Sequence, residues 1–272
     1  MREIVAVGIT SFKRDAVVKC YLNNSRARER KSSKRSTIKE FSSRSRSRLL
    51  FTAFNASCEW LAFGVLTYPN EFPMDGKVVK RHINLFRKRL QERGIILFWA
   101  IEFQVRGAVH VNFLLDSFLL KDELSRIWFE IVGSGDEKHL RAGTQIAFAK
   151  SSGQASGYMA ACYSADKSKQ KEIPAEFQNI GRWWGAPRGL VKPVSQDIML
   201  LYDAMPKVRA LRKFTEKSIK PRKVQPMRDE KKRKRKVKRK VTRFLHGGLQ
   251  GFKVFKGSKV AQRLTGDNQD GE

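Results

Sequence analysis

The stretch Trp99-Ala-Ile-Glu-Phe-Gln-Val-Arg-Gly-Ala-Val-His-Val-Asn-Phe-Leu-Leu115 decides the fold. It reads as two apolar strands folded back on each other at Arg106-Gly107. Glu102, Gln104, His110 and Asn112 alternate with large apolar residues, and strand side chains change face at every residue. His110 and Asn112 therefore share a face. A loop with an odd number of residues, such as Arg106-Gly107-Ala108, sets Glu102 opposite Asn112 and Gln104 opposite His110. A two-residue loop sets Glu102 opposite Val111 and scatters the polar groups. In the odd register one sheet face carries a carboxylate, an imidazole and two amides, a set resembling a divalent metal site.

Around this hairpin the chain is strongly basic. Its 272 residues carry 56 Lys+Arg against 26 Asp+Glu, a formal charge of +30. That excess implies a polyanionic partner, with nucleic acid favoured over an anionic membrane. With 41% hydrophobic residues, 18 Phe and 5 Trp, a real core is expected. No apolar run approaches the ~18 residues that cross a bilayer. Lys13, Arg14 and Asp15 interrupt the N-terminus too early for a secretory leader. Cys20, Cys58 and Cys162 are scattered and lack zinc spacing, which points to a reducing interior.

Periodicity gives the other elements. The run after Arg48 has helical apolar spacing, and Phe63 to Tyr68 reads as a buried strand stopped by Pro69. Lys77 to Arg93 reads as a basic amphipathic helix ended by Gly94, Asp122 to Val132 as another helix, and Thr144 to Phe148 as a strand. The order of helix, strand, helix, two strands, helix, strand and helix predicts an α+β domain, a central antiparallel sheet flanked by helices. Composition sets the expected boundaries at a basic arm over 1–45, the domain over 46–200, a basic extension over 201–246 and a disordered tail over 247–272. In the extension, the block containing Lys231, Arg233 and Lys236 repels itself and suits an arm that contacts phosphate.

The order of motifs resembles rolling-circle replication initiators of the HUH endonuclease superfamily, of plasmid or filamentous-phage type. Phe63-Gly-Val-Leu-Thr-Tyr-Pro69 is similar to their first strand motif. Glu102 to Asn112 is similar to their second, which normally ends in His, a hydrophobic residue and His. Gly157-Tyr-Met-Ala-Ala-Cys-Tyr-Ser-Ala-Asp-Lys167 resembles their tyrosine helix. Lys171-Glu-Ile-Pro174 and Gly181-Arg-Trp-Trp-Gly185 resemble segments that follow it. The resemblance covers about residues 40–190. Two positions depart from the pattern: Asn112 stands where the second metal-binding His is usual, and Ala161 where a Lys follows the leading Tyr.

The resemblance implies a protein that nicks one DNA strand at an origin by tyrosine transesterification, leaving a 5′-phosphotyrosine and a free 3′-OH. It implies Mg²⁺ or Mn²⁺ held by Glu102, His110 and Asn112, with Gln104 in reserve, and Tyr158 or Tyr163 as nucleophile beside Lys167. A phenol of pKa ~10 needs such help at neutral pH. On an ideal helix the two tyrosines lie ~140° apart, so one site is not expected to take both. Tyr158 aligns with the family's leading tyrosine and is favoured. Arg81, Arg87 and Lys88, with Arg182, Trp183 and Trp184, are candidates for phosphate and base contact, the tryptophans either stacking on unpaired bases or packing in the core. The expected partner is DNA, single-stranded or an origin hairpin, in a bacterial cytoplasm. No Walker-type loop is present, so helicase and polymerase would come from the host. Asn112 and Ala161 keep open a second reading, a catalytically weakened descendant that only binds DNA.

Overall fold

Two larger antiparallel sheets with helices packed on them, besides a short two-stranded one, make the chain an α+β protein. The computed structural model describes residues 4–22, 38, 40–163, 174, 177, 180–218, 222–223, 236–237 and 251–266. In chain order the elements are β1 (Ile4–Ser11), β2 (Ala16–Leu22), α1 (Ser43–Phe54), β3 (Ala62–Thr67), α2 (Gly76–Gln91), β4 (Leu97–Phe103), β5 (Val109–Leu115), α3 (Lys121–Val132), α4 (Glu137–Ala142), β6 (Thr144–Phe148), α5 (Ser152–Tyr163), β7 (Trp184–Gly185), β8 (Ser195–Leu200), α6 (Leu201–Ser218), β9 (Arg222–Lys223), β10 (Lys236–Val237), β11 (Gly251–Val254) and α7 (Ser258–Thr265).

Residues 32–190 form one compact unit around a five-stranded sheet in the order β6-β3-β5-β4-β7. β5 lies at its centre, and six of its seven residues are buried. Such a strand must be apolar on both faces, which is why Asn112 stands out within it. One face packs on α2 and α3. Val79, Ile83, Phe86 and Leu90 recur at helical spacing on α2, and Phe86 meets Phe113 of β5 at 6.2 Å and Trp128 of α3 at 6.1 Å between ring centroids. Asp75 starts α2 by accepting the Lys77 backbone N–H at 2.8 Å, leaving the helix no choice about where its apolar stripe falls. Because neighbouring strand residues alternate, Asn112 points to the other face, where α1 and α5 pack. Small residues let those two helices approach closely, and Ser156 of α5 donates to the Ala53 carbonyl of α1 at 2.9 Å. Ser151 caps α5 through the Gln154 N–H, while Gln154 Oε1 accepts from the Lys150 N–H.

The β4–β5 loop spans residues 104–108, an odd number, and Gly107 turns it with φ 86°. The polar residues therefore do share a face. The pairing is shifted by two positions from the three-residue loop considered above: Glu102 lies opposite His110, and Ala100 opposite Asn112. Arg106 accounts for the wider loop. Its guanidinium donates to the Tyr68 and Pro69 carbonyls and to Gln104 Oε1, so the tip is tied to the end of β3.

A second unit, formed by residues 1–31 and 191–272, has the sheet β11-β2-β1-β8 with α6 and α7. This corrects the boundaries expected from composition. Residues 4–22 are a hairpin rather than an arm, β8 belongs to this unit, and residues 251–266 hold a strand and a helix rather than a disordered tail. Val7, Ile9, Val18 and Cys20 bury one sheet face with Ala204, Val208 and Leu211 of α6. These strands are themselves largely apolar, and the basic Ser/Arg/Lys run that follows them dominated the composition of the N-terminal region. No helix among the described residues is long and apolar enough to cross a membrane.

Gly64 is where β3 runs closest to its neighbours. A Cβ there would lie 2.0 Å from the Gln145 carbonyl oxygen and 2.7 Å from the Phe113 ring. Gly64→Ala is expected to lower unfolding free energy by about 3 kcal/mol, measured by urea denaturation.

Candidate functional site

Asn112 sits under α5 with 3% of its surface exposed, a polar side chain in a core position. Every part of its amide is engaged. Nδ2 donates to Tyr163 Oη at 2.8 Å and to Glu102 Oε2 at 3.2 Å, and Oδ1 accepts from Tyr158 Oη. An amide has two N–H donors and one oxygen, so this satisfies it as burial demands.

Both tyrosines thus meet one residue, contrary to the expectation from helical angle alone. Five residues advance ~7.5 Å along an α-helix, so the two phenols bracket Asn112 along the axis and reach it from either side. Their neighbours hold them there. Tyr158 lies against the Phe63 ring of β3 at 4.9 Å, and Tyr163 meets Phe41 edge-on at 5.7 Å. The two phenols differ in access: Tyr163 is 1% exposed, whereas Tyr158 is half-buried. Burial, followed by Cys162 and the Glu102 carboxylate, holds the Tyr158 phenol well above its ordinary pKa. Burial does the same to Tyr163, the Asn112 hydrogen bond opposing and Glu102 reinforcing it. Both hydroxyls are therefore protonated in this arrangement.

His110 is the cross-strand neighbour of Glu102, within the reach of directly paired side chains. Its Nε2 is buried and has no hydrogen-bond partner. Burial, and then the Arg106 charge, lower its pKa, so the imidazole is neutral. A buried, unpaired, neutral imidazole nitrogen beside a carboxylate fits a divalent cation. Glu102 and His110 are the two groups that fit. The Asn112 oxygen is already taken by Tyr158, and Gln104 accepts from Arg106, so neither expected amide ligand is free-standing. Among the described residues no group of three His, Cys, Asp or Glu side chains converges.

The remaining candidates divide. Arg81, Arg87, Arg182 and Trp184 line one cavity between α2 and the β4–β7 edge, with a volume of about 1110 Å³. Lys88 is exposed on α2 outside that lining. Trp183 does not offer a base-stacking face: it is 2% exposed, stacked on Phe41 at 5.3 Å and edge-on to Phe103. Trp183 directly precedes the edge strand β7 in extended pairing with Ile101, so it and Trp184 turn to opposite sides and Trp183 enters the core. Lys167, Lys231 and Arg233 lie outside the described residues, as does the side chain of Lys236. Sequence reasoning missed Lys77 and Lys80, which line the same cavity. The signal was present, since Lys77, Lys80, Arg81, Asn84, Arg87 and Gln91 recur at helical spacing on the flank of α2 beside its apolar stripe.

No family model, curated protein or solved structure matches the chain.

Removing the Asn112 amide strands the groups it satisfies. Asn112→Ala is expected to cost about 2–3 kcal/mol in a urea titration, through the buried Tyr163 hydroxyl and the cavity left behind. A pH effect follows from the histidines. His82, His110 and His139 all have lowered pKa values, burial being the first cause in each. They take up protons more readily when unfolded, at about pH 6.5, so their stabilisation is present above that pH and is lost as pH falls. The urea midpoint should drop between pH 7.5 and pH 5.5, and less so in His110→Gln.

Proposed function

We propose that the protein is a DNA nicking and joining enzyme that starts rolling-circle replication, with Tyr158 as nucleophile. The observation that carries this reading is the convergence of two tyrosines, Glu102 and His110 on one sheet face around Asn112. The resemblance to the HUH initiators orders the same residues along the sequence. The formal charge of +30 suits a phosphate-rich substrate.

In this reading Tyr158 Oη attacks phosphorus and the bond from phosphorus to the 3′ oxygen breaks. The strand is left as a 5′-phosphotyrosine and a free 3′-OH, and the proton lost by the phenol is balanced by the one gained at the 3′ oxygen. Reversal by a 3′-OH rejoins the strand and restores the phenol. Tyr158 is the half-buried phenol and needs only to release Asn112 Oδ1 to meet a phosphate. Tyr163 anchors α5 over β5. Glu102 and His110 would hold the Mg²⁺ or Mn²⁺ ion, which would supply positive charge against the phosphate oxygens and offset the Glu102 charge that adds to burial in keeping the phenols protonated. Asn112 positions the nucleophile, and the Arg106 contacts to Tyr68 and Pro69 fix the hairpin that carries Glu102 and His110. A bacterial cytoplasm with host helicase and polymerase is the setting this reading implies.

One observation favours a second reading, DNA binding without cleavage: the Asn112 amide is already satisfied by the two phenols and Glu102. The test is to incubate the protein with single-stranded DNA spanning its own gene and flanks, with Mn²⁺, and to look for an SDS-resistant adduct. The expected adduct is absent with Tyr158→Phe and falls at least 100-fold with His110→Ala or Glu102→Gln. Survival of the adduct in Tyr158→Phe refutes the nucleophile assignment. Absence of any adduct with either metal, while DNA is still bound, selects the second reading.

A further inference from the structure

The cavity beside α2 lies on the sheet face turned away from the tyrosines. Trp99 of its floor pairs with Phe113 of β5, whose side chain packs on α2, whereas Asn112 faces α5. Six cations line it: Lys77, Lys80 and Arg81, together with Arg87, Arg182 and Arg188. No carboxylate joins them among the described residues lining the cavity. The contrast with the other flank of the same helix is sharp. There Arg89 pairs with Glu130 of α3 at 3.6 Å, and Arg93 with Glu123 at 3.0 Å. Charges on α2 are thus neutralised toward α3 and left in excess toward the cavity, and a concavity focuses the field of such a cluster.

The cavity has a deep cation as well as a rim. Lys80 is largely buried, with its ammonium 4.3 Å from the centre of the Trp99 ring and donating to the Arg182 carbonyl. Burial, then the Arg182 charge, pull its pKa down to about 7, so an anion arriving nearby would restore its full charge. The backbone is shaped around this pair. A Cβ on Gly185 would lie 2.7 Å from the Trp99 indole nitrogen, so glycine is what allows β7 to close over that ring. The floor is apolar, from Ile83, Ile95, Leu97 and Trp99.

We propose that this cavity is a binding groove for single-stranded nucleic acid, separate from the tyrosine site, with phosphodiester groups on its cationic rim and bases against its apolar floor. The volume of about 1110 Å³ exceeds the usual upper range of ~1,000 Å³ for small-molecule sites and suits a stretch of polymer. A duplex presents phosphates but hides its base faces, so the apolar floor selects a single strand. The groove reading shares the DNA partner of the proposed function but does not need cleavage. It gives the strand a hold on the face where no chemistry occurs.

The test uses the full chain, a fluorescein-labelled dT15 strand and anisotropy titrations from 50 to 300 mM NaCl. The variant replaces three exposed rim cations together, as Arg81→Gln, Arg87→Gln and Arg182→Gln, with thermal melting to establish that it folds like the parent. Each lost phosphate contact should reduce the slope of log K against log salt by ~0.7 for a single strand, hence by about 2 for three. Affinity at 100 mM should fall at least 10-fold. The basic segments elsewhere contribute equally to parent and variant and drop out of the difference. A slope within 0.5 of the parent's (about a quarter of the expected change) overturns the groove. So does saturable micromolar binding of tripolyphosphate or ATP that the triple variant loses while its dT15 affinity stays at the parent's, which would make this a nucleotide pocket. Equal loss of affinity for a 15-base-pair duplex would overturn the single-strand assignment. Adduct formation is read separately: a reduced slope without any adduct supports the groove while refuting the nicking reading.

Discussion

A buried amide at the centre of an apolar sheet constrains much of this structure. Asn112 occupies a position that would otherwise be filled by an aliphatic side chain, and every hydrogen-bonding group it has must be met within the protein. Glu102 meets it from the neighbouring strand, and Tyr158 and Tyr163 from the helix above. The strand pairing of β4 with β5 and the seating of α5 are therefore coupled through one side chain. A shift of either by one residue would bury an unsatisfied amide, carboxylate or phenol.

That coupling has a cost in reactivity. Phenols tied to an amide beside a carboxylate, away from water, are held protonated. In the proposed reaction this is a nucleophile at rest, and Tyr158 would have to exchange its amide partner for a phosphate. His110 contributes from the same face a nitrogen that the fold has left unpaired. What sets it apart from the other unpartnered buried side-chain nitrogens among the described residues, Arg46 Nε and Trp183 Nε1, is the Glu102 carboxylate on the residue opposite. The opposite sheet face behaves differently. There the polarity is positive charge around an open cavity rather than a closed hydrogen-bond network. One sheet thus separates a closed hydrogen-bond network around Asn112 from an open, cationic cavity.

The hairpin, the amphipathic α2 and the strands around residues 63–68 and 144–148 were legible because each has a strong local period. The hairpin at residues 4–22 was not, although its strands are largely apolar, since the basic run after it set the composition and its sheet and helix partners lie nearly 200 positions away in β8 and α6. Among site residues, His110 and Asn112 could be put on one face by strand alternation alone, whereas Glu102 joined them only in the odd-loop register. Whether Trp183 or Trp184 entered the core could not be read, because a two-residue edge strand carries no periodic signal. Lys80 looked like any surface lysine until Trp99, nineteen positions on in the hairpin, lay beneath it.

By itself, then, the sequence determined the class of fold and the sharing of a face by His110 and Asn112, since these follow from steric rules acting over a few neighbouring residues. The odd loop that brings Glu102 to the same face was one of two registers it allowed. Tertiary structure alone decided that Glu102 faces His110 instead of Asn112, because Arg106 widens the loop by reaching for carbonyls at the end of β3. It also decided that both tyrosines meet at one amide. Helical angle separates them, but the passage of α5 over β5 brings them together, and no local period encodes that crossing.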